Sequence, residues 1–161
     1  MTVKKMIKVN WLMKGNNMAD KLEKQLDIEA DLDNLDLVLD TIEEILSGAG
    51  AGMKIIKACQ LSVEELFVNI ANYGYADAKE KPCSINIQAK CDDTKGNARI
   101  ELRDKGLKFD PFAKEDPDIT LKIKDRGVGG MGIYMTKNLM DSWEYKYDNE
   151  NIVILEKSWN L

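Results

Sequence analysis

The chain has 161 residues, 44% of them hydrophobic and 32% charged, with a net charge of −5. That size and balance fit one soluble globular domain with a real core, and the acidic charge argues against a direct nucleic-acid binder, which ordinarily carries a basic stripe. There is no histidine, which excludes Ser-His-Asp hydrolysis, a histidine-ligated metal and a self-phosphorylating histidine, and the three cysteines, Cys59, Cys83 and Cys91, form no CxxC pair, which argues against a disulfide framework or a zinc cluster.

In chain order, residues 1–20 show no clean period and read as a leader, disordered or adventitious, ahead of a single domain over residues 21–161. Lys4, Lys5 and Lys8 are followed by no apolar h-region. No apolar run approaches the roughly 18 residues of a membrane span, so a cytoplasmic protein without membrane contact is expected. Residues 24–28 predict a first strand. Leu35, Val38, Leu39, Ile42, Ile45 and Leu46 recur at helical spacing and predict a helix over about 32–47, capped near Asp31 or Asp33. A second helix is predicted from Met53 to about Asn72, with Gly74 as its stop. Residues 83–90 and 97–103 alternate as strands. Residues 105–130 read as a long loop, of the kind that is functional inside a compact domain. A helix over 131–141 and strands over 143–147 and 152–159 complete the chain, the last two joined by the turn Asp148-Asn149-Glu150-Asn151. This order predicts an α+β two-layer sandwich, with helices on one face of a mixed, mostly antiparallel sheet.

Three segments carry chemistry. In the second helix, Glu65, Asn69 and Asn72 fall within one narrow arc, while Leu66, Phe67, Ile70 and Ala71 fall away from it. An amide oxygen suits Mg²⁺, which takes its other ligands from phosphates and water. A carboxylate one turn away is suited to accept a proton from an attacking hydroxyl. After a strand, Asp104-Lys105-Gly106 and Phe109-Asp110-Pro111 follow. An Asp fixed there can accept the exocyclic amine of adenine, and Gly106 lets a base approach the backbone. Arg126-Gly127-Val128-Gly129-Gly130-Met131-Gly132 then runs into a helix. Its glycines free backbone N–H groups for phosphate, with Lys124 and Arg126 adding positive charge. No Gly-Lys-Ser/Thr follows, so it is not a Walker A loop.

Taken alone, each segment is an ordinary polar face, turn or hinge; their order and spacing are distinctive. Together they resemble the N, G1 and G2 boxes of the GHKL ATPase superfamily and, within it, the anti-sigma-factor serine/threonine kinases. Glu65, Asn69, Tyr73, Gly74 and Tyr75 resemble the N box. Arg103, Asp104, Gly106, Phe109, Asp110 and Pro111 are similar to the G1 box. Arg126, Gly129, Gly130, Met131, Gly132 and Ile133 are similar to the G2 box. The resemblance runs from about Lys24 to Trp159. Tyr73 departs from it, standing where His is common.

The resemblance implies a Bergerat-type ATP-binding fold with ATP and Mg²⁺ as cofactors. Asn69 would be the metal ligand, Glu65 the catalytic base and Asp104 the reader of adenine. Asn72, Gly106, Phe109, Lys124, Arg126, Gly127, Gly129, Gly130 and Gly132 would complete the nucleotide site, with an ATP lid inside residues 105–128. It implies serine kinase activity on an antagonist protein, sequestration of a sigma factor, and a possible homodimer. The alternative is a nucleotide-gated protein-binding module of the same fold that phosphorylates nothing.

Overall fold

The computed structural model describes residues 8–9, 20–121 and 130–161. Strands β1 (Lys8–Val9) and β2 (Asp20–Glu29) lead into α1 (Leu35–Gly48) and α2 (Met53–Asn69). Strands β3 (Pro82–Cys91) and β4 (Lys95–Asp104) follow, then α3 (Met131–Leu139), β5 (Ser142–Tyr147) and β6 (Asn151–Asn160). Among the described residues no helix is long and apolar enough to cross a membrane.

The six strands form one sheet in the order β1-β2-β3-β4-β6-β5. Every described pair is antiparallel. With the helices packed on one face of this sheet, the architecture is the expected α+β sandwich, and among the described residues its antiparallel character is complete. β4 and β5 run parallel across the α3 connection, but β6 folds back between them and pairs antiparallel with both. β1 pairs Lys8 with Gln25 and Val9 with Lys24, extending the sheet beyond β2.

Side-chain alternation follows the pleat. Leu26 and Ile28 of β2, Ile85 and Ile87 of β3, and Ile100 and Leu102 of β4 are buried. Against them pack Val38, Ile42 and Leu46 of α1 and Cys59, Val63 and Phe67 of α2, in one apolar cluster. Burying a side chain such as Phe67 contributes about 1.5–3 kcal/mol. The opposite sheet face is polar: Asn86 donates to Glu23 and Gln25, and Arg103 pairs with Glu150.

Local chemistry sets the element ends. Asp31 accepts from the Asp33 N–H at 2.9 Å and caps a 3₁₀ turn, Leu32–Asn34, ahead of α1. Among the described residues the cysteines form no disulfide: Cys59 and Cys83 are buried and Cys91 is half-buried. Burial pushes the Cys59 thiol up to about 12 and the Cys83 thiol higher still, so both are inert.

Candidate functional site

One wall of the site is the last two turns of α2. Leu66 and Phe67 turn into the core, and this fixes the phase of the helix. Glu65 and Asn69 then lie one turn apart on the open face. The Asn69 side-chain nitrogen donates to Glu65 Oε1 at 3.1 Å. The Asn69 amide oxygen is the end left for another partner.

Beyond Asn69 the helix widens into a π-helical turn, Ile70–Gly74. Its i→i+5 spacing lags behind the 3.6-residue period. Tyr73, not Asn72, therefore continues the face of Asn69. Tyr73 and Gly74 line the cavity, while Asn72 is exposed and lies outside the lining. The expectation for Asn72 rested on an ideal helical phase that the π turn breaks.

The floor is Asp104, the last residue of β4 and buried. Its Oδ1 accepts from Asn151 Nδ2 at 3.0 Å and from the Gly106 N–H at 2.9 Å. Both bonds land on one oxygen, which leaves Oδ2 to accept from a cavity ligand. Desolvation by burial raises the Asp104 carboxyl above its ordinary range, against the lowering effect of these two bonds. Gly106 passes so close to the Gly74 carbonyl that a Cβ would overlap it, and the neighbouring Leu107 N–H donates to that carbonyl at 2.7 Å. Tyr75 locks the same junction, donating to the Pro82 carbonyl and accepting from the Lys105 N–H at 2.6 Å. Burial pushes its phenol up to about 12, so it keeps its proton.

Asn151 is the functional residue that sequence reasoning missed. Besides bonding Asp104, it donates to the Leu107 carbonyl at 2.9 Å. It accepts from the Phe109 N–H at 3.0 Å and from the Tyr145 hydroxyl at 2.8 Å. In the sequence it reads only as the end of a polar turn.

The remaining wall comes from the loop after β4 and the start of α3. Gly130 stands at φ +88° before the helix. A Cβ on Gly132 would overlap the Glu65 carboxylate, so the absence of a side chain there is what lets α3 approach α2. Phe109, Gly130, Lys108 and Lys114 line the cavity; no motif marks either lysine. Lys124, Arg126, Gly127 and Gly129 lie outside the described residues. The first part of the expected lid is anchored, with Phe112 against Trp143 at 5.0 Å between ring centroids and Asp116 paired with Lys137 at 2.7 Å. The rest of that lid lies outside the described residues.

These walls enclose about 540 Å³, within the range of small-molecule sites. A buried carboxylate with one open oxygen suits a heterocyclic amine, and the lysines suit phosphates. Among the described residues no three His, Cys, Asp or Glu side chains gather to hold a metal. A cation at Asn69 would therefore take its other ligands from phosphates and water, which is how Mg²⁺ is usually held.

A family model described as a histidine kinase-like ATPase domain matches residues 28–157. The chain belongs to that family. An ATPase domain of this kind binds ATP. The ATPase domain also resembles the crystal structure of the RsbU and RsbW domains of Rv1364c from Mycobacterium tuberculosis, with a TM-score of 0.58 at 17% identity. That match covers 83% of this chain and 31% of the other, and at this identity it supports the fold alone. The histidine kinase domain of the blue-light activated kinase from Erythrobacter litoralis EL346 matches with a TM-score of 0.44 at 15% identity, over 89% of this chain and 69% of the other. No curated protein matches the chain.

Proposed function

We propose that this ATPase domain is a protein serine/threonine kinase of the anti-sigma type, which phosphorylates a small antagonist protein and otherwise holds a sigma factor. The observation that carries this reading is the pairing of Glu65 with Asn69 on the cavity wall. A pure binding module needs no carboxylate at that point. The boxes that resemble the anti-sigma kinases support the narrower assignment.

In this reading Asp104 accepts the adenine amine, while Lys108 and Lys114 attract the phosphates. Asn69 presents its amide oxygen to Mg²⁺, which when bound neutralises charge on the phosphates. Glu65 accepts the proton of the attacking hydroxyl. The new bond joins the serine oxygen to the terminal phosphorus, the bond from that phosphorus to the bridging oxygen breaks, and ADP leaves.

The experiment is incubation with labelled ATP and the co-purifying partner, followed by phosphoserine and phosphothreonine counts. Glu65→Gln should lower transfer by roughly 10²–10⁴-fold while nearly preserving ATP affinity. A wild-type protein that binds ATP but labels no partner would point to the nucleotide-gated module instead.

A further inference from the structure

A second groove meets the nucleotide cavity at Glu65. It encloses about 320 Å³ between α2 and α3, and its lining shares Glu65 with the nucleotide cavity but not Asp104. Leu61, Glu64, Glu65 and Val68 line it from α2, with Gly132 and Met135 on the α3 side. The α2 residues recur at three, four and seven positions, so they form one stripe along the helix. From Leu61 to Val68 that stripe runs about 10 Å at the helical rise. Leu61 is 46% exposed and Met135 is 43% exposed.

Three features bear on what the groove takes. Glu65 lines both cavities, so anything seated in the groove meets the same carboxylate as the nucleotide. Gly132 lines the groove directly against Glu65, where a side chain would overlap the Glu65 carboxylate. Among the described residues the lining carries two carboxylates, Glu64 and Glu65, and no cation. Phosphoryl transfer needs the attacking and leaving oxygens roughly in line, on opposite sides of the transferred group. A nucleotide in the larger cavity leaves the groove as the approach for the acceptor.

We infer that the groove seats the phosphoacceptor segment of the protein substrate. That segment presents a serine or threonine hydroxyl to Glu65, an aliphatic side chain to Leu61, Val68 and Met135, and a lysine or arginine to Glu64. The inference rests on the kinase reading above and adds the chemistry of the acceptor. Its aliphatic contact supplies affinity, and its basic residue supplies register and selectivity.

The test uses the full chain, labelled ATP with Mg²⁺, and a set of synthetic twelve-residue serine peptides. The peptides vary Arg against Glu and Leu against Ser around the acceptor. Two variants lie outside the nucleotide cavity, Glu64→Lys and Met135→Ser, and ATP affinity by calorimetry should stay unchanged in both. The wild type should favour Arg-Leu peptides. Met135→Ser should raise their KM about tenfold with kcat retained. Glu64→Lys should reverse the preference from Arg to Glu. Unaltered peptide preference in both variants would overturn the groove while leaving the kinase reading intact. So would phosphoserine on the full-length partner with no peptide ever labelled. Failure of the kinase reading itself has a different signature: ATP binds, and neither peptide nor partner carries phosphate.

Discussion

Asn151 donates its side-chain amide to Asp104 across 3.0 Å, joining two residues 47 positions apart that face each other in the β4–β6 register. The same amide group ties down Leu107, Phe109 and Tyr145. The loop that leaves β4 is thus held to the sheet by one side chain, and the carboxylate in the floor of the cavity is fixed by it.

Asn151→Ala should therefore loosen the floor. It strips a donor from a buried carboxylate and leaves the Phe109 N–H and Leu107 carbonyl without their partner. Each unsatisfied group costs about 1–3 kcal/mol where it stays dry. A scanning calorimetry trace should show a lower Tm, and titration should show weaker ATP binding. An unchanged Tm and unchanged affinity would mean that the loop holds itself.

Much of this architecture was legible because it is local. The alternation over residues 83–90 and 97–103 and the periodic apolar sets of α1 and α2 gave the elements to within a few residues. Glu65 and Asn69 were visible as a helical pair; they line one cavity with Asp104, Glu65 and Gly132 line the adjoining groove, and Gly106 stands behind Asp104, donating its N–H to that carboxylate. What stayed hidden depends on long-range pairing or broken phase. Asn151 has meaning only through the strand register. Tyr73 replaces Asn72 on the cavity face only because the helix widens after Asn69. β6 between β4 and β5 follows from a crossover that no local pattern encodes.

Asp104 should make adenine binding sensitive to acid. Burial raises its carboxyl above the ordinary carboxylate range, and an ionised oxygen is the better acceptor for an amine. ATP affinity should weaken as pH falls through that raised value, and Asp104→Asn should flatten this part of the profile. Losing the charged acceptor should cost about 1.5–3 kcal/mol, roughly ten- to a hundredfold in affinity. Discrimination against GTP should shrink with it. The stability effect has the opposite sign. A carboxyl raised in the folded state binds more protons than in the unfolded chain, so its contribution is fully present below the unfolded value and is lost as pH rises through the folded one. Equal binding of ATP and GTP by the wild type would remove Asp104 as the base reader.

Gly132→Ala separates folding from chemistry. The added methyl group meets the far end of the Glu65 side chain, which can swing aside. Gly132 is the second residue of α3, so the propensity gain stays below the roughly 1 kcal/mol of an interior glycine, and Tm should hold. Displacing the base should cost transfer on the order of 10²-fold. Wild-type phosphorylation in a stable Gly132→Ala protein would show that the position of Glu65 is not critical.

Asn69→Ala tests the metal. Asn69 spends its amide nitrogen on Glu65 and keeps its oxygen for another partner. If that oxygen holds Mg²⁺, its loss should appear only when the metal is present. Loss of an outer-shell partner commonly costs roughly 10–100-fold in metal affinity, and a direct ligand should cost at least as much. Calorimetric titration of ATP into Asn69→Ala should therefore show a large deficit against the wild type in Mg²⁺ and a small one in EDTA. The substitution also releases Glu65 from its hydrogen bond, and that effect is present with or without metal. The comparison across the two buffers isolates the ligand role. Equal deficits in both would mean that Asn69 contributes to ATP binding without the metal, and no deficit in either would take it out of the nucleotide site.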